Sequence, residues 1–353
     1  MAPTSDLVRD SRLRTRFYSG HTHHTYYVSG ITARQRTVKR EERWQRCRSL
    51  GSGAFGTVWL EKLVSDDAEA KQRAVKEIRK NSHRSNTIDY SRELEAIAKF
   101  SHEKYERCFV RSFGWYESGE SVFIAMEYFP YGDLEEYISS PLPELEVQQI
   151  AFQILEGIAF MHENGFAHRD LKPTVRPLYT LNILVKSKGP EWWVKIGDFG
   201  ISKRAEEGLT ALRTLNGTPE FMAPEMLVQL GLLDMENLPV SDRYTVAVDI
   251  WSLGEITFRA LTGESPFPIR QLGPYAKGMT TFPVEALQSH NVSTAGRDFV
   301  RSLMAPLPRD RLTAKDATTH DWLESQRPSS ARSSLEIQRL WLLLVILLLE
   351  YLC

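Results

Sequence analysis

His168-Arg-Asp-Leu-Lys-Pro173, followed at a distance by Asn182-Ile-Leu-Val185 and Asp198-Phe-Gly200, is the stretch on which the reading of this chain turns. Upstream, between about Trp44 and the middle of the chain, short β-like runs alternate: Thr57–Glu61, Ala74–Ile78 and the apolar Val122–Met126. One helix interrupts them, Tyr90–Phe100, with Glu93, Ile97 and Phe100 on one face at i, i+4, i+7. That spacing turns Glu93 inward, and an inward carboxylate needs a cationic partner. Downstream the pattern becomes helical. Glu146–Asn164 places Val147, Ile150, Ala151, Ile154, Leu155 and Ile158 on one stripe, closed by Gly165 at the cap position. Val246–Thr262 is apolar almost all round and is expected to be buried inside a lobe. A β-rich lobe followed by a helical one predicts an α+β, two-lobed enzyme with a cleft between the lobes.

Two features of the first lobe bear on that cleft. Gly51-Ser-Gly53-Ala-Phe-Gly56-Thr-Val58 has the spacing G-x-G-x-x-G-x-V, and glycine lets backbone approach a phosphate closely. A dinucleotide-binding turn would continue as a helix. Here Thr57-Val58-Trp59-Leu60 continues as a strand, so the loop is read as a hairpin flap over a nucleotide, with an ordinary hairpin as the alternative. Lys76 follows in Arg73-Ala-Val-Lys76, flanked by apolar residues, and is expected to pair with Glu93 and to hold phosphate oxygens.

With Ala223-Pro-Glu225 added, these motifs stand in the order of the eukaryotic protein kinases, and from Trp44 to Trp322 the chain resembles a serine/threonine kinase of the calcium/calmodulin-dependent-kinase-like group. The resemblance implies ATP and Mg²⁺ as cofactors and protein Ser/Thr hydroxyls as substrates. It makes Asp170 the group that accepts the substrate proton, Lys172 the cation on the moving phosphoryl group, and Asn182 and Asp198 the Mg²⁺ ligands. Leu50, Gly51, Gly53, Gly56, Val58, Ala74, Lys76, Met126, Glu127, Phe129, Asp133 and Leu184 are the implied ATP-site residues, with Ala74 and Leu184 sandwiching adenine and Asp133 at the ribose. Lys172, two places after Asp170, and Gly217-Thr218-Pro-Glu-Phe are similar to the Ser/Thr class. Asp249 matches the aspartate that steadies the catalytic loop, Glu225 is expected to pair with Arg311, and Thr210 and Thr214 are candidate activation-loop phosphosites. Thr174 stands where many basophilic kinases carry a glutamate, so no arginine preference follows.

One departure matters. The family spacing leaves four residues between the aspartate and the asparagine, whereas eleven separate Asp170 from Asn182; removing Val175–Leu181 restores His-Arg-Asp-Leu-Lys-Pro-Thr-Asn. Three readings stay open. The segment bulges outward and leaves both ligands in place, since loop length alone costs little; it displaces Asn182, giving a catalytically impaired pseudokinase that scaffolds; or the chain is an imperfect translation of a gene whose usual product lacks the segment.

Composition sets the frame. The 353 residues hold 44 Lys+Arg against 45 Asp+Glu, a net charge of −1 that supplies no general attraction to nucleic acid. Cys47, Cys108 and Cys353 are too scattered for a disulfide or zinc framework, which favours a reducing compartment, cytoplasmic or nuclear. The N-terminus lacks the apolar core of a secretory signal. The expected organisation is a basic, disordered arm at 1–43, a kinase domain at 44–323 (first lobe 44–129, second lobe 130–323), a linker at 324–339 and an apolar tail at 340–353. The fourteen tail residues would span about 21 Å as a helix against a hydrocarbon core of about 30 Å, so they make a poor transmembrane segment. A weak tail anchor, a partner-binding helix and a mis-assembled end remain the alternatives.

Overall fold

The computed structural model describes residues 6–32, 35–53, 56–64, 71–80, 91–169, 171, 182–198, 222–229, 231–234 and 246–327. A helix α1 (Asp6–Asp10) precedes strands β1 (Arg14–Tyr18), β2 (His21–Thr32), β3 (Gln35–Gly53), β4 (Gly56–Leu63) and β5 (Gln72–Arg79). Helix α2 (Ser91–Phe100) then leads to β6 (Ser112–Glu117) and β7 (Ser121–Glu127). These strands form one antiparallel sheet in the order β1-β2-β3-β4-β5-β7-β6. The second lobe holds α3 (Glu144–Glu163), a hairpin of β8 (Ile183–Ser187) and β9 (Trp193–Ile196), α4 (Pro224–Gln229) and α5 (Ala247–Thr262). Helices α6 (Ile269–Ala276), α7 (Val284–Ser289), α8 (Thr294–Leu303) and α9 (Ala314–Thr318) follow. The α+β, two-lobed architecture is as expected from the sequence.

The helical lobe is built on the two predicted stripes. Val147, Ile150, Ala151, Ile154, Leu155 and Ile158 of α3 are all buried, each large side chain contributing about 1.5–3 kcal/mol on leaving water. Buried residues surround α5, and Trp251 is enclosed completely. The helix ends at Gly263, whose φ of +78° suits a residue without Cβ and whose N–H reaches the Arg259 carbonyl at 2.7 Å. Helix α4 is tied to the region after α8 by Arg311, whose guanidinium donates to both oxygens of Glu225 at 2.7 Å, so the expected pair forms.

The N-terminal arm is a correction. Residues 6–32 are helix and strand and not a disordered arm, and they fold onto the first lobe against β3. β2 pairs with β3, while the Leu13 N–H donates to the Trp115 carbonyl at 2.8 Å and the Trp115 N–H to Ser11 at 3.1 Å. The arm thus extends the sheet beyond β3 with β2 and β1, while residues 11–13 reach the opposite edge strand, β6. Its basic residues give it the composition of a solvated segment, and in β1 Arg14 and Arg16 are indeed exposed, with only Thr15 half-buried. Phe17 packs on Tyr116 and Phe123, with ring centroids 5.8 and 5.7 Å away. His24 is fully buried against Arg73, whose Nη2 donates to its Nε2 at 2.7 Å. Arginine cannot accept, so the imidazole proton sits on Nδ1 and faces Thr15 Oγ1 at 2.8 Å. Burial and the Arg73 charge lower the His24 pKa to about 3. Arg73 is neutralised by Glu61, with contacts of 3.0 and 2.7 Å, and stacks over Trp44 at 4.0 Å. The linker also begins later than expected: Asp321–Gln326 forms a 3₁₀ helix, and Arg327 is buried with its Nη2 on the His320 carbonyl at 2.7 Å.

Candidate active site

Strand β5 presents Lys76 opposite Val58 of β4 and Ile124 of β7. Its ammonium donates to Asp198 Oδ1 at 2.7 Å, across 122 positions of sequence and from one lobe to the other. Both side chains are mostly shielded, so the pair works in a dielectric lower than water. The expected partner, Glu93, lies in the first turn of α2, and its side chain falls outside the described residues.

The apolar walls come from β3 to β8. Val58, Ala74, Phe129 and Leu184 are buried, and Met126 packs on a cluster formed by Val110, Phe129 and Leu184. Ala74 sits opposite Met126 in the β5–β7 register. Leu50 and Gly51 are half-buried at the end of β3, where Gly51 pairs with Val58 and Gly53 with Gly56. Gly56 has φ +140°, and a Cβ there would lie 1.9 Å from the Glu77 carbonyl oxygen; only glycine fits the turn back into β4.

The polar floor is a network around Asp249, a buried carboxylate on α5. It accepts from the Arg169 N–H (Oδ1, 2.7 Å), the His168 N–H (Oδ2, 2.8 Å) and His162 Nε2 (Oδ2, 2.9 Å). His168 Nε2 in turn donates to the Gly197 carbonyl at 2.9 Å, so the loop leading to Asp170 is tied to the loop carrying Asp198. Gly197 N–H donates to the Asn182 carbonyl at 2.8 Å, which sets Asn182 beside Asp198 at the open end of the β8–β9 hairpin. Three non-glycine residues have positive φ among the described residues, and two are here, Arg169 (+64°) and Asp198 (+46°). Such backbone is held only where surrounding contacts fix it. The nearby hydrogen bonds supply those contacts.

Two carboxylates of the ATP set have specific environments. Burial opposes ionisation of Glu127, but hydrogen bonds from Lys186 and from Lys195 (2.9 Å) outweigh it and its pKa falls below the usual range. Asp133 accepts the Glu135 N–H at Oδ1 (2.9 Å) while its Oδ2 is shut from solvent; burial pushes its pKa up to about 7 against that hydrogen bond. The donor set would suit a magnesium nucleotide: an ammonium is paired with a carboxylate, and an amide residue stands on the adjoining backbone. Asp170, Lys172, Thr174, Thr210, Thr214, Thr218 and the segment Val175–Leu181 lie outside the described residues. Sequence reasoning missed the Lys76–Asp198 contact, the two lysines on Glu127 and the part of His162 on Asp249. Lys186 and Lys195 read as ordinary strand lysines, and nothing in their spacing marks them.

The protein kinase domain family matches residues 44–323. The chain is 32% identical over 280 residues to the serine/threonine-protein kinase RAD53 of Saccharomyces cerevisiae, a match covering 78% of this chain and 32% of that protein, so the chain spans about a third of that relative. It is 31% identical to the calcium/calmodulin-dependent protein kinase type 1 of Caenorhabditis elegans over 78% of this chain and 72% of that one. A crystal structure of Rad53 1–466 in complex with AMP-PNP superposes with a TM-score of 0.60 at 30% identity, covering 79% of this chain and 65% of the other. With its two lobes, its glycine hairpin and its Asp249-centred loop network, the chain belongs to the protein kinase domain family.

Proposed function

We propose that this chain is an active, ATP-dependent serine/threonine kinase that phosphorylates proteins. The observation that carries the reading is the Lys76–Asp198 ion pair between the lobes, with the backbone of Asn182 held to the Asp198 loop by the Gly197 N–H. Lys76 would hold the α/β-phosphates, Asp198 and Asn182 the Mg²⁺, and Val58, Ala74, Met126 and Leu184 the adenine, with Asp133 at the ribose. When bound, magnesium nucleotide supplies the phosphoryl group and neutralises its charge. The protein's task is then positioning. Asp170 orients the substrate hydroxyl and takes its proton, and Lys172 offers a cation to the same oxygens. Asp249 holds the backbone just before Asp170, and His168 fixes that loop to Gly197.

The Asn182–Gly197 hydrogen bond supports the reading in which Val175–Leu181 leaves the metal side of the site intact. A second reading, a nucleotide-binding scaffold without turnover, rests on the eleven residues between Asp170 and Asn182. Transfer of labelled γ-phosphate from ATP/Mg²⁺ to a mixture of protein substrates separates the two, run on the full chain beside the Val175–Leu181 deletion. Phosphoserine or phosphothreonine product from the full chain supports the proposal. Nucleotide binding without product from the full chain supports the scaffold. The proposed substrates are proteins and the proposed site of action cytoplasmic or nuclear, with Thr210 and Thr214 as candidate activating phosphosites. Among the described residues no helix is long and apolar enough to cross a membrane.

A further inference from the structure

Residues 6–13 precede the region that matches the kinase family, yet they are built into its first lobe. Val8 of α1 is only 1% exposed and packs with Leu94 of α2, Ile78 of β5 and Ile124 of β7, flanked by Ile97, Trp115 and Met126. The segment is held there by backbone. The Trp115 indole N–H donates to the Val8 carbonyl at 2.8 Å, the Trp115 and Leu13 amides make the two bonds described above, and Arg12 pairs with Glu117 at 2.6 Å. β6 is shaped to receive it, because Gly114 has φ +117° and a Cβ there would lie 2.5 Å from the Ser11 carbonyl oxygen.

Helix α2 is anchored differently at its two ends. Ala96 and Phe100, towards the C-terminal end, belong to the large core of the helical lobe. Leu94, next to Glu93, belongs instead to the small cluster that Val8 completes. The N-terminal end of α2 thus packs on the cluster that holds Val8, Ile78 and Ile124, and its C-terminal end on the core of the helical lobe. The same cluster touches Met126 in the wall of the nucleotide slot.

We propose that residues 6–13 are a built-in brace for α2, and that Val8 is a positioning residue acting through Leu94 on the backbone that carries Glu93. The inference rests on the kinase reading, since its effect on rate passes through Lys76 and its neighbours. Misplacement near 1 Å at such a site can cost about 10²-fold in rate. The test uses the full chain in four forms: parent, Val8→Ala, Val8→Asp and Leu7→Asp, the last at a neighbouring residue that is 52% exposed. kcat, KM for ATP, thermal melting and amide exchange over 91–100 and 247–262 are measured.

Val8→Asp should lose about tenfold or more in kcat/KM, exchange faster at 91–100 and exchange as the parent does at 247–262. Val8→Ala should fall between, and Leu7→Asp should match the parent. Parental kcat/KM in both Val8 variants overturns the brace. So does a loss accompanied by faster exchange in both helices, which means general unfolding. Should the parent transfer no phosphate, the kinase reading fails, and exchange over 91–100 in Val8→Asp decides the brace alone: faster supports it, unchanged overturns it.

Discussion

Replacing Asp249 with asparagine tests the network under the catalytic loop. The carboxylate accepts three hydrogen bonds at 2.7, 2.8 and 2.9 Å in a site closed to water. Asparagine keeps the shape but offers one carbonyl and one amide NH₂. Whichever way it turns, one backbone N–H, of His168 or of Arg169, faces a donor. Charge-assisted bonds of this kind contribute about 1.5–3 kcal/mol each, and the relief of no longer burying an anion offsets part of the loss. A net destabilisation of about 2–3 kcal/mol for the loop follows, equivalent to roughly 30- to 150-fold in the population of the native arrangement. The assay is steady-state phosphorylation with a melting curve alongside. kcat should fall by about that factor, while KM for ATP moves less than about threefold, because Lys76 and the apolar slot are untouched. The midpoint should drop by several degrees, at about 2–4 °C per kcal/mol for a domain of this size. A folded Asp249→Asn chain with parental kcat would refute the claim that this carboxylate holds the loop in its working form.

Three further outcomes are expected. His24 has a folded pKa near 3 against 6.5 when unfolded, so the unfolded chain binds its proton first; its contribution is complete above pH 6.5 and erodes as pH falls towards 3. Between pH 7 and 5 that amounts to about 2 kcal/mol, and urea titrations of His24→Gln should lack this component of the pH dependence. Arg311→Leu leaves the mostly shielded Glu225 without its cation and should lower stability by about 3–5 kcal/mol by denaturant titration; a change below about 1 kcal/mol contradicts the pair's structural role. Deleting Val175–Leu181 restores the family spacing without touching a named ligand, and the shortened chain should phosphorylate at least as fast as the parent. A well-folded deletion that is slower would mean the segment assists the chemistry.

What the sequence disclosed followed from periodicity and local turn chemistry. The α3 stripe, the all-round apolar α5 and the glycine hairpin each declare themselves within about twenty residues. The Glu225–Arg311 pair was legible only through its resemblance to a family pattern. The arm was illegible for a physical reason: its fold depends on Trp115 and Gly114, a hundred positions away, and its one buried histidine is satisfied by Arg73. Its outward arginines gave it the composition of a solvated segment. Lys76 was legible as a site residue by its strand and neighbours, but its contact with Asp198 is a tertiary event that no local pattern encodes.

The central claim is that Lys76 and Asp198 work together on a magnesium nucleotide to move phosphate onto protein. The most direct measurement is γ-phosphate transfer by the full chain, set beside Lys76→Met and Asp198→Asn, with nucleotide affinity taken with and without Mg²⁺. The parent should yield phosphoserine or phosphothreonine. Both variants should fall by about 10²-fold or more in kcat while staying folded, and only Asp198→Asn should lose the Mg²⁺ dependence of binding. Nucleotide binding by the parent with no transfer, or full activity in Lys76→Met, would contradict the account.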